Sequence, residues 1–135
     1  MRTYLYDDVP TEQWEIILQD KNIITDKMKM IISLLYQAPD YTLNAGAMAR
    51  IMGYTSHAPL NNIVGTYGRK IKEQCKIPSS PKLVQHNHWI AVFNGEEELK
   101  NKFNWILKPN MIEAINRLQL LENDAIFSSM LRKDM

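Results

Sequence analysis

The chain has 135 residues, of which 45% are hydrophobic, and a net charge of +1. This length predicts one domain with a hydrophobic core. No uncharged apolar run approaches the about 20 residues of a membrane-spanning helix, and the N-terminus lacks the apolar segment of a signal peptide. The single cysteine, Cys75, excludes an internal disulfide and a four-cysteine metal site. We therefore expect a cytoplasmic protein with no membrane partner.

Charge is distributed unevenly along the sequence. Residues 1–20 hold five acidic residues against Arg2, whereas residues 50–82 hold six basic residues against Glu73. A basic middle segment favours an anionic partner. A solvated charged surface explains such a run equally well, so charge alone does not distinguish the two interpretations.

Apolar residues at helical spacing predict three helices in the first half of the chain, over about residues 10–19, 26–37 and 44–52. Thr25 or Asp26 is suited to cap the second helix, and Thr42 or Asn44 the third. Gly53 follows the third helix at the position where a left-handed residue commonly ends one.

A fourth helix is predicted over about 56–72, with Ser56 as a possible cap and Pro59 in its first turn. Gly65 and Gly68 lie in its middle, where each costs roughly 0.5–1 kcal/mol relative to alanine. We interpret them as points of close approach. The approaching surface is either DNA or another part of the domain. The two alternatives have about equal weight for Gly68, whose neighbour Tyr67 belongs to the apolar stripe.

The apolar period changes to two after the proline-containing segment 76–81. HWIAVF (88–93) predicts a strand, Asn94-Gly95 a hairpin turn, and FNWIL (103–107) a second strand. The intervening EEELKNK is long for a tight hairpin, so we expect an extended loop at the tip. A fifth helix is predicted over about 109–121. The tail, 122–135, is either a docking helix or a linker.

This order of elements predicts an α+β, mainly α fold: a winged helix–turn–helix domain with a β-hairpin wing, over residues 1–121. Ala45 and Ala49 are small enough for the two helices of the helix–turn–helix to cross closely. Gly53 supplies the positive φ that the turn between them requires.

The 56–72 helix is then the predicted recognition helix, whose N-terminal half enters the major groove. Asn61 and Asn62 can pair with adenine edges, although each is equally typical of an ordinary surface. Ser56 and His57, near the positive helix end, suit a phosphate or a base acceptor. Thr66 carries a methyl group that can touch thymine or 5-methylcytosine. The predicted DNA-binding residues, with the basic ones at phosphates, are Ser56, His57, Asn61, Asn62, Gly65, Thr66, Arg69, Lys70 and Lys72.

A family resemblance adds to this interpretation. TLNAGAMARIMGYTSHAPLNNIVGTYGRKI, followed by HWIAVF and FNWILKPNMIEAINRL, resembles the winged-helix domains of modification-dependent restriction endonucleases. The resemblance covers about residues 42–120, and Pro59 and Thr66 differ from the family pattern. The positions that carry it are Gly53-Tyr54, Ser56, Asn61, Gly65, Gly68, Arg69, Trp105, Leu107 and Pro109.

The resemblance implies a specificity module that binds double-stranded DNA and reads 5-methylcytosine, with a nuclease domain as a possible partner in the same natural chain. We expect the methyl group to be read in the major groove, because the sequence shows no aromatic cage for a flipped base. A winged-helix transcriptional regulator and a protein-interaction winged helix are the alternatives.

Catalysis within these residues is not expected. The adjacent letters His86-Asn87-His88 are not an HNH nuclease motif, whose residues are dispersed, and they lack nearby metal ligands. Asp7-Asp8 and the glutamates 96–98 are interpreted as solvated acidic runs, and the tryptophans as core residues. We predict no catalytic residue, no metal site and no cofactor.

Overall fold

A computed structural model describes residues 2–6, 9–75, 88–99 and 102–129. Its helices are α1 (Thr11–Gln19), α2 (Asp26–Gln37), α3 (Ala45–Ile51), α4 (Ala58–Cys75), α5 (Pro109–Leu118), α6 (Leu120–Asn123) and α7 (Ala125–Ser129). Its strands are β1 (Arg2–Tyr4), β2 (Thr42–Asn44), β3 (Asn94–Leu99) and β4 (Lys102–Ile106), and short 3-10 helices cover Pro39–Tyr41 and His88–Ala91. The predicted class, α+β and mainly α, is confirmed.

The strands within these ranges form one antiparallel sheet in the order β1–β3–β4–β2. β3 and β4 are the two arms of a hairpin, and residues 100–101 between them lie outside the described part of the chain. β2, which directly precedes α3, pairs with β4, so that Leu43 lies opposite Trp105. β1 extends the other edge and places Tyr4 opposite Gly95. The sheet therefore ties the hairpin to both the N-terminus and the start of α3.

The ends of α2 and α3 follow the predicted capping chemistry. Thr25 Oγ1 accepts the backbone N–H of Met28 at 3.2 Å, and Asn44 Oδ1 accepts that of Ala47 at 3.1 Å. Gly53 adopts φ 88°, and its N–H donates to the carbonyl of Arg50 at 3.0 Å. The next N–H donates to the carbonyl of Ala49 at 2.8 Å, which completes a Schellman ending.

The hydrophobic core joins all the longer helices to the inner face of the sheet. α4 buries one stripe at i, i+3 and i+4 spacing, as the sequence predicts. Fully or almost fully buried core residues include Trp14, Ile31, Met48, Leu60, Val64, Tyr67, Ile71, Phe93, Trp105 and Met111. Among the described helices, none is both long enough and apolar enough to cross a membrane.

The predicted hairpin turn at Asn94-Gly95 is wrong, because these residues begin β3. Asn94 Oδ1 accepts the N–H of Tyr6 at 2.9 Å and is bonded by Lys108 Nζ at 3.0 Å. Lys108 is 2% exposed and also donates to the Tyr6 carbonyl. These contacts join three distant segments, and the predicted 88–93 strand is a 3-10 helix followed by a short connection.

The predicted fifth helix is interrupted at Gln119, whose φ of 51° ends α5. Beyond it, α6 and α7 turn back toward α2, where the backbone carbonyl of Phe127 accepts the Ser33 hydroxyl at 3.1 Å. Lys29 of α2 pairs with Asp124 at 2.9 Å. The Phe127 side chain is completely buried, so this residue of the predicted tail is part of the core.

Candidate nucleic-acid interface

α4 presents a polar face opposite its buried stripe. Asn61, Asn62, Thr66 and Arg69 are all exposed, whereas the buried residues of the same helix point into the core. An α-helix turns 100° per residue, so Asn62, Thr66 and Arg69 share one side. The face contains uncharged polar groups and a cation, and Glu73 is the acidic residue exposed near its C-terminal end.

The first two predicted site residues lie immediately before the first turn of α4. Ser56 and His57 are exposed, and the His57 carbonyl accepts the N–H of Asn61 at 2.9 Å. The helix therefore begins at Ala58, directly after His57. Ser56, which the sequence suggested as the cap, lies one residue too early for that position. Pro59 lies in the first turn, where its missing N–H is not needed.

The two glycines of α4 have different surroundings. Gly68 is buried in the domain, whereas Gly65 is only half-buried. A Cβ atom built on Gly65 meets no other atom within 4 Å, so its surroundings are open space. Gly65 has an ordinary helical φ, since Gly53 is the glycine with a positive value among the described residues. Neither packing nor backbone conformation in the described chain requires a glycine at position 65.

Three of the four basic side chains around α4 form no salt bridge with another described residue. Arg50, at the end of α3, and Arg69 are exposed, while Lys70 is half-buried, and none of the three forms a salt bridge there. Lys72 is also half-buried, and partial burial lowers the pKa of its ammonium group. Three of these four basic side chains therefore remain available to an external anion.

A cleft of about 560 Å³ opens between the N-terminal ends of α3 and α4 and the β3–β4 hairpin. We call it the hairpin cleft, and its lining includes Arg50, His57, Asn61, Trp89, Glu97 and Phe103. A second, more apolar groove of about 360 Å³ lies on the other side of α4, against α2, and its lining includes Asn62, Thr66 and Lys70. Asn61 therefore borders the hairpin cleft, whereas Asn62 borders the second groove.

The aromatic wall of the hairpin cleft was not predicted from sequence. Trp89 and Phe103 are half-buried, with ring centres 5.0 Å apart and planes at 78°. Tyr4 of β1 adds an edge contact to Trp89 at 5.6 Å. A Cβ on Gly95 would collide with the Phe103 ring, so this glycine allows the rings to lie against the sheet. Its role is close approach rather than the predicted turn.

The glutamates of β3 divide between the two faces of the sheet. Glu96 and Glu98 accept the side-chain amide of Asn104 at 3.0 and 3.2 Å. Glu97 points the other way, lies opposite Phe103 and lines the hairpin cleft. These residues belong to a strand, so the expectation of an acidic extended loop at the tip is wrong for residues 96–98.

Several predicted features lie outside the described residues or lack described side chains. Asp7-Asp8, segment 76–81 and His86-Asn87 belong to the first group, and His88 and Cys75 to the second. Within the described ranges, no three His, Cys, Asp or Glu side chains are grouped in a way that could hold a metal ion.

Comparison of the chain with protein-family models, with curated proteins and with solved structures gives no match. The resemblance to modification-dependent restriction endonucleases therefore stays a prediction, and the function is inferred from the geometry of α4 and the surfaces beside it.

Proposed function

We propose that this chain is a winged-helix domain that binds double-stranded DNA with α4 in the major groove. α3 and α4, joined at Gly53, correspond to the helix–turn–helix, and the β3–β4 hairpin to the wing. Pairing of β2 with β4 holds this hairpin beside the start of α3. The arrangement supports the proposal because it leaves the polar face of α4 uncovered by described elements.

Gly65 is the observation that carries the proposal. A glycine inside a helix destabilises it by roughly 0.5–1 kcal/mol relative to alanine, and no described contact compensates this cost. A glycine at this position is explained if a surface from outside the chain approaches α4 closely. The adjacent exposed side chains, Asn62, Thr66 and Arg69, suit the base edges and phosphates of DNA.

The position of each side chain suggests its role in such a complex. Asn61 and Asn62 approach base edges from the two sides of α4, while Arg69 and Lys70 hold phosphates farther along the helix. Ser56 and His57 lie at the helix N-terminus, where the positive dipole favours an anion. Glu97 and Glu98 are exposed on the hairpin, so we expect phosphate contacts to come mainly from α4 rather than from β3.

We further propose that the domain reads cytosine methylation as the specificity module of a restriction endonuclease, with a nuclease domain as its partner in the natural protein. The 5-methyl group of cytosine projects into the major groove, next to the proposed position of α4. Open space at Gly65 and the methyl group of Thr66 offer it a close, partly apolar surface.

The experiment uses two random-sequence duplex pools that differ only in carrying cytosine or 5-methylcytosine. Fluorescence anisotropy at two salt concentrations measures the affinity for each. We expect salt-dependent binding of both pools and about tenfold tighter binding to the methylated one. Equal affinities would contradict methylation reading alone, and selection of one two-fold-symmetric site would favour a transcriptional regulator. Absence of binding at low salt would contradict DNA binding itself.

A further inference from the structure

We propose that the hairpin cleft receives a single nucleobase that has left the DNA duplex. The inference rests on the proposed DNA binding of α4, because the cleft opens beside the start of that helix. Asn61 belongs to both, since it is exposed on α4 and lines the cleft. A duplex held on α4 therefore lies next to the cleft, within reach of one extruded nucleotide.

The size and walls of the cleft fit a planar heteroaromatic ring. Its volume of about 560 Å³ is within the range of small-molecule sites. Trp89 and Phe103 form two nearly perpendicular walls, so a base that stacks on one ring meets the edge of the other. Stacking on aromatic side chains and contacts to the hydrogen-bonding edge are how proteins hold an extruded base.

The polar groups of the cleft favour a base with an exocyclic amine. Glu97 is directly opposite Phe103 in the strand register, so its carboxylate lies beside the aromatic wall. A carboxylate accepts the N4 amino group of cytosine, whereas it repels the O4 carbonyl of uracil or thymine. The Asn61 amide supplies both a donor and an acceptor for the rest of the base edge.

Cations at the border of the cleft suit the sugar–phosphate backbone of the extruded nucleotide. Arg50 and Lys102 are both exposed and line the cleft, and neither forms a salt bridge with another described residue. Their positive charges favour a phosphate at the border of the cleft, while the Glu97 carboxylate lies inside it. Together these groups assign the cleft to an amino-bearing base such as cytosine, extruded from a position other than the methylated one that α4 reads in the proposed function.

The experiment measures the affinity for a duplex whose target cytosine is already free to leave the stack. A duplex selected from the methylated pool is prepared fully paired and, at each cytosine in turn, with an abasic site opposite. The wild-type protein is expected to bind one abasic-opposed duplex about tenfold more tightly than the paired one, because unpairing no longer opposes binding. A uracil at that position should lose most of the gain.

Two variants connect this preference to the cleft. Trp89→Ala should reduce the tenfold ratio to near one, and Glu97→Leu, at an exposed position that leaves the core intact, should remove the preference for cytosine over uracil. Tyr41→Phe, an exposed aromatic away from the cleft, is the control and should keep both ratios.

The outcomes separate the two proposals. Equal wild-type affinity for paired and abasic-opposed duplexes, or preferences that persist in both cleft variants, would overturn the base site while leaving duplex binding by α4 intact. No binding of any duplex would overturn the proposed function and this inference with it. Tight binding of free cytidine with no abasic preference would identify the cleft as a free-nucleoside site and overturn base extrusion.

Discussion

The two sides of this molecule use their charged residues differently. On the side of α1 and α5, Arg117 reaches Glu12 and Glu15 at 3.3 Å and Glu113 at 3.2 Å. Nearby, Lys29 of α2 pairs with Asp124. On the side of α3 and α4, the exposed arginines have no described ionic partner.

This difference is the reason for assigning the proposed partner surface to the side of α3 and α4. Charges of the first side are satisfied within the chain: a backbone hydrogen bond and the Arg117 guanidinium lower the pKa of Glu12 below its ordinary value. Such exposed pairs add little stability. The cations of the second side surround a helix whose outer glycine has no described intramolecular function. The proposed binding of DNA to α4 would account for both features.

The largest expected effect concerns the first side, where Phe127 anchors α7. Phe127→Ala removes a completely buried aromatic ring and should lower the free energy of unfolding by about 3–5 kcal/mol, measured by urea denaturation. Ile16→Ala removes an exposed apolar side chain of α1 and should change it by less than about 0.5 kcal/mol. A loss below about 1 kcal/mol for Phe127→Ala would show that α7 is not part of the cooperative core.

An intermediate effect is expected for Arg69→Glu on the second side. The change removes one phosphate contact and adds a repulsive charge, so duplex affinity should fall about tenfold and the salt dependence should weaken. Lys21→Glu makes the same charge change at an exposed position between α1 and α2 and is the matched control. Equal losses in both variants would mean that net charge, rather than the surface of α4, governs binding.

A smaller effect, with a defined pH dependence, is expected for Asp124→Asn. Burial alone would raise the pKa of Asp124, but the Lys29 ammonium and the backbone N–H groups of Phe127 and Ile126 outweigh it and lower the pKa. A lowered folded-state pKa stabilises the fold above the unfolded value, near 3.9, and this contribution disappears as pH falls.

Asp124→Asn should therefore cost about 1 kcal/mol at pH 7, and the difference from the wild type should shrink below about pH 4. Urea denaturation across this pH range measures both. A constant difference between pH 7 and pH 3 would contradict a role for the Asp124 charge.

Sequence reasoning was accurate where structure is determined by neighbouring residues. The α2 helix begins and ends where its apolar spacing predicts, and Thr25 caps it. Gly53 has the predicted positive φ, because the ending of a helix also depends on residues that are neighbours in sequence. The predicted site residues on α4 are likewise exposed or half-buried, as the helical period requires.

Prediction from the sequence failed where contacts between distant segments determine the structure. The local signal of Asn94-Gly95 is a turn, but Asn94 is bonded by Tyr6 and Lys108, which come from segments on either side of it. Three-residue strands such as β1 and β2 are too short to show the alternation of apolar and polar residues that identifies a strand in a sequence. Trp89 and Phe103 become neighbours only because Gly95 leaves space between them, so the aromatic cleft has no sequence signal of its own.

The most direct test of the account replaces Gly65 with alanine and measures stability and duplex affinity in the same variant. The added methyl group has open space, so the free energy of unfolding should rise by roughly 0.5–1 kcal/mol. Gly53→Ala is the matched control: it should lower stability because of its positive φ, without changing the affinity of the folded protein. For Gly65→Ala we predict at least tenfold weaker binding of the methylated duplex. Higher stability with unchanged affinity would contradict contact between DNA and this face of α4.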